Sequence, residues 1–320
     1  MKKTTTPVYF DPEYFENVPC NLCGAGETET TVLYEAVAEK IPRRKEELIT
    51  RYSSSGDEII FERVVRCNRC GLIYISPRPK TEIIMQSYSA AEDERYVSQE
   101  KGRQVTFKRC INIVKEYKRS GRLLDIGAAG GIFVKAAVDA GFEAVGVEPA
   151  RWLCDFAKNR YGVTVYPTDL GGAGFDDSSF DVVTMWDCLE HVPDPMETLR
   201  QVRRVLKPGG VVFVAYPRID DIFARVFGRR WWFLLSIHLF YFTPKTLKNY
   251  FKKNDFCVLS HRPQFQFLEY NYLVERLKAY SGFLAGLAGF PARFLGLGRI
   301  RVPYFASQYL LIGRNRKGGN

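Results

Sequence analysis

Between Arg122 and Pro217 the apolar residues fall into short runs that alternate with stretches of helical periodicity. "RLLDIG" is a short buried strand, Gly127 to Gly131 form a tight loop, and "IFVKAAVDAG" carries helical spacing that ends at Gly141. "EAVGVEP" is a second strand with Glu148 at its carboxyl end, and "VTVYPTDL" a third, followed by Asp169. "FDVVTMWDCLEHVPDP" runs from a fourth strand into a polar loop, before the helix "METLRQVRRVLKPGG" and the strand "VVFVAYP". This alternation predicts an α/β fold with a doubly wound sheet. Ligands of such sheets bind at the carboxyl ends of the strands, so the glycines let a ligand approach the backbone and Glu148 can accept from two ribose hydroxyls.

The flanks read differently. Phe107, Ile111, Val114 and Tyr117 are at helical spacing, which predicts an entry helix laid on the sheet domain. "GLIYISPRP" predicts an alternating strand ended by prolines, the exit of a small first module. The division expected is a module over 1–80, a helical connector over 81–120, the core over 121–217, and a cap, an insertion and final strands over 218–320. The insertion places Leu273, Leu277, Tyr280, Leu284 and Leu287 at helical spacing, near Arg276, Lys278, Arg293, Arg299 and Arg301. It is amphipathic and basic. It reads as an interfacial helix at an acidic membrane surface, or as a dimer interface or lid, and Pro291 breaks it too early for it to span.

Composition narrows the classes. At 320 residues and 46% hydrophobic the chain can bury one good-sized core and a smaller module, and it is not a disordered chain. The start "MKKTTTPVYF" lacks the apolar run of a secretory signal, so the expected location is the cytoplasm, with peripheral contact at the inner membrane face kept open. Eight cysteines in that setting are thiols or metal ligands. "CNLCG" and "CNRCG" place Cys20, Cys23, Cys67 and Cys70 in two C-x₂-C-G knuckles, a zinc-ribbon-like Cys₄ pattern for a structural Zn²⁺. A hairpin is expected between the knuckles, around "YEAVAEK" and "EIIFERVVRC". Cys110, Cys154, Cys188 and Cys257 lack such spacing and read as core thiols. A net charge of +10 favours anionic partners without choosing among them.

The loop reads D-x-G-x-A-G-G from Asp125, not G-x-G-x-x-G, which favours S-adenosylmethionine over a dinucleotide. With "LLDIGAAGG", "GVEP", "LEHVPDP" and "VLKPGG" in this order, the chain resembles the class I S-adenosylmethionine-dependent methyltransferases across about 121–217, and again around "HLFYFTPKTLKNYFKKNDFCVLSHRP". Within them it is similar to the ubiquinone-methyltransferase-like small-molecule group, and to members with an N-terminal zinc-binding segment often found with glycan or sugar biosynthesis. The resemblance implies a Rossmann-like sheet of seven strands with the last, "ASQYLLIGRN", antiparallel. It implies that Gly127, Ala129 and Gly131 pass beneath the methionine moiety and Asp125 helps hold its ammonium group. Glu148 would bind the ribose diol, Asp169 the adenine amine with Leu170 beside it, and Trp186, Asp187 and Cys188 would line the sulfonium end. Ala129 stands where many members have glycine, which calls for a negative φ there.

Methyl transfer to a hydroxyl or acidic carbon needs a base, and His191 and His238 are the candidates on cleft loops. Asp187, Glu190 and His191 could instead hold a divalent ion. Arg229 and Arg230 beside Trp231 and Trp232 suggest a surface for a ring and a phosphate. The acceptor expected is therefore a small molecule, a hydroxyl or carbon of a sugar, nucleotide sugar or lipid-linked glycan precursor. An RNA methyltransferase and a non-catalytic cofactor-binding scaffold are the alternatives, and no feature reads a nucleic acid specifically.

Overall fold

The structure, a computed structural model, describes residues 9–53, 58–90, 99–278, 282–294, 298, 300–305 and 307–316. The side chains of 275–278, 283–284 and 291–294 are not described. Of the amphipathic stripe, Tyr280 and Arg299 therefore lie outside the described residues, as do the side chains of Arg276, Leu277, Lys278, Leu284 and Arg293.

Seven strands form the main sheet: β6 (Gly121–Ile126), β7 (Phe142–Val147), β8 (Val165–Tyr166), β9 (Phe180–Trp186), β10 (Leu206–Pro217), β12 (Phe256–Pro263) and β15 (Gln308–Asn315). Their order is β12-β15-β10-β9-β6-β7-β8, with β15 antiparallel to both of its neighbours and the pairs among β6 to β10 parallel. This is the doubly wound sheet that the alternation of strands and helices predicts, with the seven strands and antiparallel last strand that the resemblance implies. The strands read as near-continuous apolar runs because both faces are covered. Leu124, Val183 and Val212 point into one core cluster, while their chain neighbours Leu123, Val182 and Phe213 point into the other. The period of two thus sends adjacent residues to opposite layers.

The helices are cut by local chemistry. Asp194 caps α6 (Pro195–Val205) by accepting from Glu197 N at 3.0 Å, with Pro195 in the first turn. Leu199, Val202 and Val205 then share its buried face. Thr243 and Thr246 form the capping box of α8 (Pro244–Lys253). The entry helix is α3 (Glu100–Lys115), with Ile111 and Val114 buried. It follows α2 (Thr81–Ser89).

The N-terminal residues fold around the two knuckles. Gly24 and Gly71 adopt φ of 73° and 80° and donate back to Cys20 O at 2.8 Å and Cys67 O at 2.9 Å. Strands β2 (Thr30–Tyr34), β3 (Val64–Cys67) and β4 (Ile73–Ile75) pair antiparallel. The hairpin thus starts earlier than "YEAVAEK" suggests, because Thr30 pairs with Cys67 directly beside the knuckles. Strand β4 is buried throughout instead of alternating. Its outer edge is covered by β11 (Phe240–Tyr241), so the C-terminal half of the chain supplies the fourth strand of this sheet. A buried carboxylate ties the same regions together. Glu62 accepts from Tyr52, the C-terminal cap of α1 (Lys45–Arg51), and from Ser236 Oγ at 2.7 Å.

The insertion is docked, not free. Strands β13 (Gln266–Glu269) and β14 (Arg301–Tyr304) pair, and α9 (Tyr270–Lys278) packs on α10 (Gly282–Phe294). A Cβ at Gly102 of α3 would stand 2.6 Å from Phe267 O, so the small residue sets how closely β13 approaches.

Gly313 is the corresponding packing constraint in the main sheet, where an added Cβ would meet the Phe251 ring at 2.6 Å. Gly313→Ala should lower stability by about 1–3 kcal/mol through overpacking. Urea denaturation measures it; an unchanged midpoint would mean that the Phe251 ring gives way.

Candidate active site

A cavity of about 600 Å³ opens at the carboxyl ends of the central strands. Gly127 and Gly131, at φ of 69° and 74°, bend the chain after β6. A Cβ at Gly127 would stand 2.7 Å from Cys188 Sγ, so this glycine keeps the cavity floor low. Ala129 departs from expectation: its φ is +44°, not negative. Left-handed alanine costs about 1–2 kcal/mol, and the surroundings hold it there. Its N–H donates to Glu148 Oε2 at 3.1 Å, while Glu148 Oε1 accepts from Ala150 N at 3.0 Å. The buried acid at the end of β7 therefore clamps the loop after β6.

The other residues singled out for the cofactor line this same cavity. Asp125 is 2% exposed and accepts from Thr184 Oγ1 at 2.6 Å, and burial pushes its pKa up to about 8. Asp169 accepts from Gly172 N at 2.8 Å, an acid that shapes its own turn while facing the cavity, beside buried Leu170. Trp186 packs at a tilt against Phe133 and Phe107, and its Nε1 has no acceptor among the described residues. Asp187 sits at φ +51°, a conformation that a non-glycine residue keeps only when its neighbours impose it. Gln308 Nε2 at 2.7 Å and Gln266 Nε2 at 3.1 Å donate to its two carboxylate oxygens, and burial raises its pKa to about 6.

At the other end of the cavity stand Glu190, His191 and His238, whose ligand atoms lie within 4.8 Å of one another. The imidazole rings meet edge to face at 4.7 Å. His191 Nδ1 is 3.0 Å from Ile237 O and His238 Nδ1 is 2.8 Å from Phe233 O. A carbonyl only accepts, so both Nδ1 atoms carry the proton and both Nε2 atoms keep a lone pair. Burial holds His191 down at about 4 and His238 well below its usual value, and it raises Glu190 with Asp187 adding to the effect. Two neutral imidazoles and a carboxyl that resists ionisation thus meet at one point.

The cluster of Arg229, Arg230, Trp231 and Trp232 is not assembled at the cavity. Arg229 donates to Glu35 O at 2.7 Å, a backbone partner in the N-terminal module. Trp231 is 1% exposed in a core with Ile60 and Val64, so only Trp232 of the four lines the cavity. Among the described lining residues the charged groups are acids except for Arg103 and the histidines. That balance suits a cationic ligand better than a phosphate. The cavity lining also includes Tyr88, Phe233, Gln264, Tyr272 and Tyr304, none of which any local motif marks.

The described atoms fit S-adenosylmethionine on two counts: the cradle at Gly127 that a Cβ would fill, and the orphaned Trp186 Nε1. The Cys₄ set fits a tetrahedral ion. Cys20 and Cys70 Sγ are 3.4 Å apart and Cys23 and Cys67 Sγ 3.5 Å, close to the separation of about 3.8 Å that zinc–sulfur bonds of about 2.3 Å impose on a tetrahedron.

Comparison with known proteins agrees with this geometry. A methyltransferase-domain family matches residues 99–261, half of the chain, and the chain belongs to it. The chain is 37% identical over 98 residues to a ubiquinone biosynthesis O-methyltransferase of Methylococcus capsulatus, covering 29% of this chain and 41% of that one. It is 36% identical over 98 residues to the Paraburkholderia phymatum protein of the same name, covering 29% and 42%. It thus spans about two fifths of the length of these curated relatives. Among solved structures, a chain of the Haloferax volcanii complex between the Trm112 methyltransferase activator and a methyltransferase aligns with a TM-score of 0.51. It is 15% identical and covers 72% of this chain and 98% of that one, a likeness of fold.

The raised pKa of Asp125 has a thermodynamic consequence. Its ordinary pKa is about 4, so between there and its folded value of about 8 the folded chain keeps a proton that the unfolded chain has lost. Stability contributed by this group therefore falls as pH rises across that window. Asp125→Asn should reduce the slope of stability between pH 5 and pH 8 in the ligand-free protein. Urea titrations across that range test it, and an unchanged slope would contradict the assignment.

Proposed function

We propose that this member of the methyltransferase-domain family is an S-adenosylmethionine-dependent methyltransferase of a small-molecule acceptor. The acceptor atom is a hydroxyl or carbon of a sugar, nucleotide sugar or lipid-linked glycan precursor. The observation that carries the reading is the loop clamp: Ala129 N on Glu148 at the mouth of a cavity that ends at two neutral histidines. When bound, S-adenosylmethionine supplies an electrophilic methyl group on a sulfonium.

Every other part of the task falls to the chain. Gly127 and Ala129 hold the backbone beneath the methionine end, Gly131 turns the chain behind them where a Cβ would meet Ala157 at 2.7 Å, and Asp125 becomes a carboxylate when a cationic ammonium lies against it. Glu148 faces the ribose diol, Asp169 and Leu170 the adenine, and Trp186 and Asp187 the sulfonium end. The aromatic and glutamine wall excludes water and aligns the reactants, which supplies much of the rate. His191 or His238 takes the acceptor's proton on Nε2, the lone pair that its Nδ1 bond leaves open. A charged group of a nucleotide sugar or lipid carrier lies outside the acid-lined cavity. Exposed Ile222, Val226 and Phe227 of α7 (Ile222–Phe227), next to Trp232 at the cavity, together with Leu287 and Phe290 of α10, suit peripheral contact at the inner membrane face. No helix among the described residues is long and apolar enough to cross a membrane.

The convergence of Glu190, His191 and His238 favours a second reading of the same end of the cavity, in which they hold a divalent ion against the acceptor hydroxyl. Loss of turnover on dialysis against a chelator, restored by a divalent ion, would select it over the base. In the module, Cys20, Cys23, Cys67 and Cys70 hold one structural Zn²⁺. A closed Cys₄ site leaves no position for substrate.

Labelled S-adenosylmethionine incubated with nucleotide sugars, lipid-linked glycans and RNA identifies the acceptor class, and transfer to RNA alone would overturn the small-molecule reading. Glu148→Ala should weaken S-adenosylhomocysteine binding by about 10–100-fold by calorimetry, since it removes a charged acceptor and the loop clamp together. His191→Ala and His238→Ala should lower turnover while that affinity holds; full turnover in both would rule out the base. Cys67→Ser should lose the one zinc per chain seen by metal analysis, and zinc-free wild-type protein would refute the site.

A further inference from the structure

The two Cys-x-x-Cys knuckles are far from methyl transfer in sequence, yet the first one touches the loop that carries Asp187, Glu190 and His191. Asn21, between Cys20 and Cys23, makes two of its three described side-chain hydrogen bonds at the end of that loop and the third to Tyr250 of α8. Its Nδ2 donates to Asp194 Oδ1 at 2.8 Å, and its Oδ1 accepts from Met196 N at 3.1 Å and from Tyr250 Oη at 2.9 Å. Asp194 is the cap of α6, and Met196 N is one of the first-turn N–H groups that a helix cannot satisfy internally. A residue of the metal knuckle therefore completes the N-terminus of the helix that ends the active-site loop.

Two further grips come from the same module. Arg78, 8% exposed in β5 (Arg78–Pro79), donates to Pro193 O at 2.8 Å. Strand β4 pairs with β11, and Leu239 N and Phe240 N at the start of β11 donate to Glu190 O at 2.9 and 3.2 Å. The loop from Glu190 to Met196 is thus held at Glu190 O, Pro193 O, Asp194 and Met196 N by the module or by the strand that completes the module's sheet. Ile237, whose carbonyl fixes the His191 tautomer, lies two residues before Leu239 on the same segment.

We infer that Asn21 is a positioning residue: it transmits the folded state of the Cys₄ module to the loop that orients Glu190 and His191. The consequence for methyl transfer rests on the function proposed above, but the coupling itself does not. In this arrangement the module does not only stabilise its own segment. Loss of the knuckle frees Met196 N, breaks the double cap on α6, and lets the loop move away from the Ile237 carbonyl, while the Glu148 clamp at the cofactor end has no contact with Asn21 and stays formed.

The test uses the full chain and four readouts that need no acceptor. Asn21→Ala should speed amide exchange from His191 to Met196 by about tenfold or more, the loss of at least one net hydrogen bond, while the amides of β6 change by less than about twofold. S-adenosylhomocysteine affinity and the zinc content should hold. With three histidines in the chain, nitrogen-detected NMR resolves their rings, and His191 should shift from the Nδ1-protonated tautomer toward a mixture. Tyr250→Phe removes one of the three bonds and should move the same amides in the same direction by a smaller factor, which keeps the test open if Asn21→Ala folds poorly. Unchanged loop exchange with an unchanged His191 tautomer would overturn the inference. So would uniform acceleration across the chain with loss of zinc, which would make Asn21 part of the knuckle's stability alone. Failure of the wild type to bind S-adenosylhomocysteine would sink the methyltransferase reading and leave the exchange result standing.

Discussion

The Glu148 carboxylate holds the cavity in shape. Two backbone N–H groups, on Ala129 and Ala150, converge on its two oxygens, so one buried acid fixes the turn after β6 and the start of α5 (Arg151–Tyr161) together. The loop needs that restraint because Ala129 is left-handed without being a glycine. A carboxylate that accepts from the backbone on one side can still accept from a ligand, since each oxygen has two lone pairs. Structure and ligand binding therefore share one group, and the low floor of the cavity at Gly127 follows from the loop it holds.

Burial then decides the charge state of the rest. Asp125, Asp187 and Glu190 are all raised by desolvation, and His191 and His238 are lowered by it, so the ligand-free cavity carries less charge than its residue types imply. A cation placed among these acids returns charge to them where it is useful. The histidines differ in kind, because their neutrality is what leaves Nε2 able to accept a proton or bind an ion.

The N-terminal module is joined to this chemistry through shared secondary structure. Strand β11 belongs to the module's sheet by pairing and to the histidine wall by position, between His238 and the cap of α8. Glu62 adds a buried polar link, satisfied by Tyr52 on one side and Ser236 on the other. Arg229 is drawn into the same junction, where its guanidinium satisfies backbone carbonyls of the module. That use removes it from the acceptor surface.

The fold class, the glycine loop, the acids ending β6 and β7 and the two knuckles were all legible in the sequence, because each is local: strand and helix periods, a tight turn and a two-residue spacer act within a few positions. His191 and His238 were legible as residue types on loops, though not as neighbours. Other features depended on which distant segments pack together. Gln266 and Gln308 reach Asp187 from 79 and 121 positions away, and no local pattern marks either. The sign of φ at Ala129 follows from Glu148, 19 positions on, and not from the preference of alanine. The run of arginines and tryptophans after α7 looks like one surface in the sequence, yet burial of Trp231 and the backbone partners of Arg229 divide it. Local spacing determines what a segment can form, whereas only the closed core decides which polar groups lose water, and so which partners they must find.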